Sequence, residues 1–116
     1  MTRTANAAGL ERFSLSGRIV LVTGSTRGLG LAIAGGMAAA GAVVGINGRD
    51  ADRAREIAKS IPNAFAASFD ITDLDAATMV IDEIVARRGR LDCLVNNAAV
   101  RDRRALDDIT PRISAG

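Results

Sequence analysis

The stretch Thr23-Gly24-Ser25-Thr26-Arg27-Gly28-Leu29-Gly30 lies between an apolar run, Arg18-Ile19-Val20-Leu21-Val22, and a helical pattern from Leu29 to Ala40. Strand, glycine-rich loop and helix, in that order, form a phosphate-binding arrangement. Glycine lets the chain turn sharply and lets backbone N–H groups approach an anion with no Cβ in the way, while the helix N-terminus behind carries partial positive charge. The spacing of Gly24, Gly28 and Gly30 differs from G-x-G-x-x-G, and no G-K-[ST] follows. Taken alone, the segment also reads as a tight βα turn that binds nothing.

The rest of the chain repeats the alternation. Leu29, Ala32, Ile33, Gly36, Met37 and Ala40 fall at helical spacing, with Gly41 as the expected stop. Gly35 and Gly36 either permit close contact between helix and sheet or weaken the helix. Ala42-Val43-Val44-Gly45-Ile46 lacks polar alternation and predicts a second strand buried on both faces. A helix from about Asp50 puts Ala54, Ile57, Ala58 and Ile61 on one side, and Pro62 closes it. Ala64 to Phe69 predicts a third strand ending at Asp70, and Thr72 followed by Asp75 resembles a capping box. The next helix turns Leu74, Ala77, Thr78, Ile81, Ile84 and Val85 inward and ends at Gly89. Leu91 to Val95 is strand four and delivers Asn96 and Asn97 to its C-terminal end. Right-handed crossovers then give an α/β fold: a Rossmann-type, doubly wound parallel sheet of order 3-2-1-4 between helical layers, α/β/α. Ligands bind where such an order reverses.

Composition limits the partners. Lysine and arginine exceed the acidic residues by only two, 15 against 13, and the charges are interleaved, so nucleic acid is not an expected partner. No apolar run nears the roughly 20 residues that cross a bilayer, and Met1 to Arg12 lacks the apolar core of a secretory signal. Those twelve residues read as a loose arm and residues 13–116 as one domain, expected in the cytoplasm. Cys93 has no disulfide partner in the chain and reads as a small buried hydrophobe. No metal site is expected.

Three motifs carry a resemblance. Thr23 to Gly30 matches the T-G-x-x-x-G-x-G loop of the short-chain dehydrogenase/reductase family, Asp70-Ile71 its acidic residue after strand three, and Asn96-Asn97-Ala98-Ala99 its N-N-A-G after strand four. The match runs over about residues 13 to 111, and Ser16-Gly17-Arg18, Asn47-Gly48-Arg49-Asp50 and Arg101-Asp102-Arg103-Arg104 are similar to gluconate 5-dehydrogenase-type members. The resemblance implies a nicotinamide dinucleotide held by Thr23, Gly24, Ser25, Thr26, Arg27, Gly28, Leu29, Gly30, Asn47, Arg49, Asp70, Ile71, Asn97, Ala98 and Ala99.

Charge selects among such dinucleotides. NAD-preferring proteins place an acid at the end of strand two to accept from the ribose hydroxyls, and its charge repels a 2′-phosphate. Here Gly48 stands near that position, Arg49 can fork onto a phosphate, and Arg27 can approach from the loop. NADP(H) is the expected cofactor, with NAD also possible because Asp50 adjoins Arg49. The alternative for Arg49 is a surface arginine paired with Asp50 or Asp52. Asp70 either accepts from the adenine amino group or ends strand three. Asn96 and Asn97 either tie strand four to its neighbours or form an ordinary turn. Ala99 departs from the family's glycine and adds a Cβ beside the cofactor.

The family's chemistry uses Tyr, Lys, Ser and Asn beyond strand four. This sequence has no Tyr or His, and its one lysine, Lys59, falls in the second predicted helix, so no catalytic residue is assigned. The family pattern continues to Pro111, and Arg112 to Gly116 does not resemble the acidic, tryptophan-containing helix expected next. A truncated domain is therefore expected, through shortening, a shifted frame or a complementing chain. Its partners would be the dinucleotide and either further copies of itself or that complementing chain.

Overall fold

The computed structural model describes residues 14–97; the arm at 1–12, Ala98, Ala99 and residues 101–116 lie outside them. Strands and helices alternate as β1 (Ile19–Val22), α1 (Gly28–Ala39), β2 (Val43–Ile46), α2 (Ala51–Ser60), β3 (Ala64–Ala66), α3 (Leu74–Arg88) and β4 (Cys93–Val95). All pairings are parallel and the order is β3-β2-β1-β4, as the crossover argument requires. Register pairs Leu21 with Gly45 on one side and Leu94 on the other, so among the described residues β3 and β4 are the edges.

Alternation along β1 builds two cores. Ile19 and Leu21 join Phe69, Ala77, Ile81 and Ile84 against α3. Val20 and Val22 join Ala34, Val44, Ile46, Ala54 and Ala58 against α1 and α2. Each fully buried aliphatic side chain contributes about 1.5–3 kcal/mol of transfer free energy.

Several elements differ from the sequence reading. β3 stops at Ala66 rather than Phe69, because beyond Ile46 an Asn47 side chain replaces backbone pairing: its Nδ2 donates to Ala67 O at 3.0 Å and Phe69 O at 3.2 Å. β4 begins at Cys93 rather than Leu91, and Cys93 is half-buried because its strand lies at an edge. The buried line of α1 runs through Gly30 and Ala34, with Leu29 70% exposed and Ala32 and Gly36 also outside. Gly30 fixes that rotation by packing against the glycine loop, which turns Leu29 out by about 100°. A Cβ at Gly35 or Gly36 would meet nothing within 4 Å, so neither glycine serves close packing. Val85 is 41% exposed.

The caps are ionic where the chain needs only structure. Asp50 accepts from Arg53 N–H and begins α2. Asp73, not Thr72, caps α3 by accepting from Ala76 N–H at 3.0 Å, since Thr72 is bonded to Asp70. At the N-terminal end of the sheet, Asp92 Oδ2 accepts from Ile19 N–H at 2.7 Å and both its oxygens accept from Arg90 Nε at 2.9 Å. Arg90 Nη2 also donates to Gly17 O at 2.7 Å. These bonds, with Ile19 N–H first and the arginines after, hold the Asp92 carboxyl below its ordinary range.

Candidate functional site

At the C-terminal ends of β1, β2 and β3 lies a cleft of about 280 Å³. Gly24, Thr26, Arg27, Asn47, Gly48, Arg49, Phe69, Asp70, Ile71 and Thr72 line it. Seven of those ten were assigned from sequence. Gly48, Phe69 and Thr72 were not assigned, although each adjoins a residue that was.

Behind the cleft, two asparagines grip one residue from either side. Gly24 N–H donates to Asn47 Oδ1 at 3.0 Å, and Gly24 O accepts from Asn97 Nδ2 at 3.1 Å. Asn47 is 2% exposed, and its amide is spent on Gly24, Ala67 and Phe69. Ser25 Oγ donates to Val22 O and accepts from Asn47 N–H, while Thr23 Oγ1 donates to Val95 O and accepts from Asn97 N–H. Thr23, Ser25, Asn47 and Asn97 therefore form the frame of the glycine loop. Asn97 ties strand four to its neighbours, one of the two roles the sequence left open.

The same frame explains the third loop glycine. A Cβ at Gly30 would lie 2.1 Å from Gly24 O and 2.5 Å from Asn97 Nδ2, so only glycine fits. Gly24 and Gly28 both have φ of 60°, a region that costs other residues strain.

The mouth of the cleft is cationic. Arg27 is the N-cap of α1, has extended backbone, makes no side-chain cap bond, and is followed by no acid in the first turn. The helix thus keeps its first N–H groups for another acceptor, and a cation sits where its dipole favours an anion. Arg49 lies opposite on the turn after β2. Asp50 is engaged as a cap and Asp52 pairs with Arg55, so neither neutralises Arg49; among the described residues no carboxylate is within salt-bridge distance of Arg27 or Arg49. Arg53, which sequence reading did not single out, donates from Nη2 to Thr26 O at 3.1 Å and ties the loop tip to α2. Its signal was its place one helical turn after Arg49.

Asp70 Oδ1 accepts from both Thr72 N–H, at 2.9 Å, and Thr72 Oγ1, at 2.7 Å. These two bonds, and then the more distant charge of Arg49, hold its carboxyl below the ordinary range, so it is an anion at neutral pH. Oδ2 keeps its acceptor capacity. Leu29 contributes backbone to the loop while its side chain is exposed, and Ala98 and Ala99 fall outside the described residues.

The residues fit a nicotinamide dinucleotide: helix N–H groups left without a side-chain cap, two guanidiniums and a carboxylate acceptor share one cleft. The profile of the family described as short chain dehydrogenase matches residues 18–113. Gluconate 5-dehydrogenase of Gluconobacter oxydans (strain 621H) is 39% identical over 104 residues, which cover 86% of this chain and 41% of that protein. Galactitol 2-dehydrogenase of Agrobacterium fabrum is 40% identical over 97 residues, covering 83% of this chain and 38% of that protein. The crystal structure of a gluconate 5-dehydrogenase from Burkholderia cenocepacia J2315, in complex with NADP and tartrate, superimposes with a TM-score of 0.75. It is 42% identical and covers 90% of this chain and 42% of that one. The chain thus spans about two fifths of the length of these relatives. Among the described residues no helix is long and apolar enough to cross a membrane.

Proposed function

The chain belongs to the short-chain dehydrogenase family, and from that premise we propose that it is the NADP(H)-binding part of an oxidoreductase. When bound, the nicotinamide would exchange a hydride with a carbonyl or secondary alcohol. Relatives named for gluconate and galactitol support a sugar acid or polyol as the substrate class. The observation that carries the cofactor choice is the pair Arg27 and Arg49 on one cleft, with no carboxylate within salt-bridge distance among the described residues and with Gly48 where an acid would repel a 2′-phosphate.

Each residue then has a task. The N–H groups opening α1 face the diphosphate, Arg27 and Arg49 fork onto the 2′-phosphate, and Asp70 accepts from the adenine amino group beside Ile71. Asn47 and Asn97 hold the loop in place for them. NADPH is expected to bind more tightly than NADH, and Arg49→Asp to narrow or reverse the difference. Titrating both nucleotides against both proteins tests this, and equal affinities indifferent to the substitution refute it.

The absence of Tyr and His from these 116 residues favours a second reading, a nucleotide- or partner-binding module that does no chemistry itself. Lys59 lies in the last turn of α2, at the opposite end of that helix from the cleft. On either reading the purified 116-residue chain is expected to give no turnover of sugar acids, ketones or secondary alcohols. The outer edge of β4 would pair with a second copy or a complementing chain, because an unpaired apolar strand templates association. Light scattering across a concentration series, with thiol labelling of Cys93, checks this; a persistent monomer with freely reactive Cys93 refutes it.

A further inference from the structure

Gly48 is not required by its backbone. Its φ lies outside the left-handed region, unlike Gly24 and Gly28, so another residue could adopt its conformation. Space is what glycine supplies there: a Cβ would lie 2.8 Å from Thr26 Cγ2 and 3.2 Å from Thr26 Oγ1. Contacts under about 3 Å between such atoms force something to move.

Thr26 is poorly able to yield. Its carbonyl is held by Arg53 Nη2 at 3.1 Å, and the preceding Ser25 N–H is bonded to Asn47 O at 2.8 Å, so the backbone does not withdraw freely. Rotation of the side chain relieves the contact only in part. A β-branched residue fills two of its three staggered positions, and both positions filled here face residue 48, so every rotamer leaves at least one heavy atom there. Serine, with one heavy γ atom, could turn it away.

We propose that Thr26 is a specificity-determining residue: by filling the space above residue 48 it keeps out the acidic side chain that would accept the ribose hydroxyls, leaving the cleft to a 2′-phosphate. The inference rests on the NADP(H) reading and deepens it. Nucleotide choice is then set by the pair at 26 and 48, with Arg27 and Arg49 supplying charge once the pair has left room. An acid placed at 48 alone removes the phosphate without gaining the ribose, because it cannot seat.

Two measurements on the 116-residue chain decide it. In thermal unfolding without nucleotide, Gly48→Ala is expected to lower Tm by about 5 °C or more and Thr26→Ser by less than about 2 °C; the double variant recovers most of the loss. In titrations, Gly48→Asp is expected to weaken NADPH by more than about tenfold without strengthening NADH, whereas Thr26→Ser/Gly48→Asp binds NADH about tenfold more tightly than Gly48→Asp. The alanine cycle stands even where the aspartate variant fails to fold. Additive Tm changes, or equal NADH affinity for the single and double aspartate variants, overturn the inference while wild-type preference for NADPH survives. A wild-type chain that binds neither nucleotide removes the NADP(H) reading and this inference together.

Discussion

The two ends of the sheet are tied by different chemistry. At the N-terminal end, charged groups close the strands: Asp92 takes Ile19 N–H and Arg90, and Arg90 reaches Gly17 O. At the C-terminal end neutral amides and hydroxyls tie the strand ends, with Asn47 and Asn97 gripping the N–H and C=O of Gly24 and Ser25 and Thr23 bracing the loop. The difference keeps two kinds of demand apart. The Asn47 and Asn97 amides satisfy buried backbone groups without adding a second carboxylate beside Asp70, so Arg27 and Arg49 have no further negative charge set against them there.

Breaking the neutral end should have the largest effect. Gly30→Ala drives a Cβ into Gly24 O and Asn97 Nδ2 and is expected to cost about 4 kcal/mol, read by urea unfolding. Asn47→Ala leaves Gly24 N–H, Ala67 O and Phe69 O without their amide partner, for an expected loss of about 3 kcal/mol by the same measurement. Neither loss should change much between low and high salt, and a strong salt dependence would contradict the neutral character of this end.

The charged end should respond to pH and salt instead. Because the folded Asp92 carboxyl is held below its ordinary range, its contribution is complete above about pH 4 and is lost as pH falls through the folded value. Asp92→Asn should therefore flatten the acid limb of the stability profile and reduce its dependence on salt; an unchanged limb would break the contrast. Asp70, lowered by Thr72, titrates in the same direction and remains in that variant as a residual slope.

The smallest effect has the opposite sign and lies in α1 at neither end. Gly35→Ala should stabilise by about 0.5–1 kcal/mol, since the helix interior has room for the methyl. The same substitution five residues earlier is the most damaging of the set, so the pair separates a glycine set by geometry from one that is not.

That distinction shows what the residues could reveal in advance. The glycine loop, the alternation of strands and helices and the order 3-2-1-4 were legible because each rests on local pattern and handedness. The facing of α1 was not: Leu29 sits at helical spacing with Ile33 and Met37, and only the contact of Gly30 with Gly24 decides which stripe turns inward. Thr72 and Asp73 both have capping chemistry, and Asp70's claim on Thr72 settles which one caps α3. The strand end places Asn47 at the cleft, and sequence alone goes no further. Its part in framing the loop depends on carbonyls twenty or more residues away in sequence, which no window along the chain contains.

The grip on Gly24 also bears on rates. A segment held through both its donor and its acceptor has little conformational entropy left to surrender, so an anion reaching it need not wait for the loop to rearrange. Capture should then be limited by diffusion and by attraction toward Arg27 and Arg49, with a rate constant that falls as ionic strength rises. Variation among ligands would show up mainly in how long they stay.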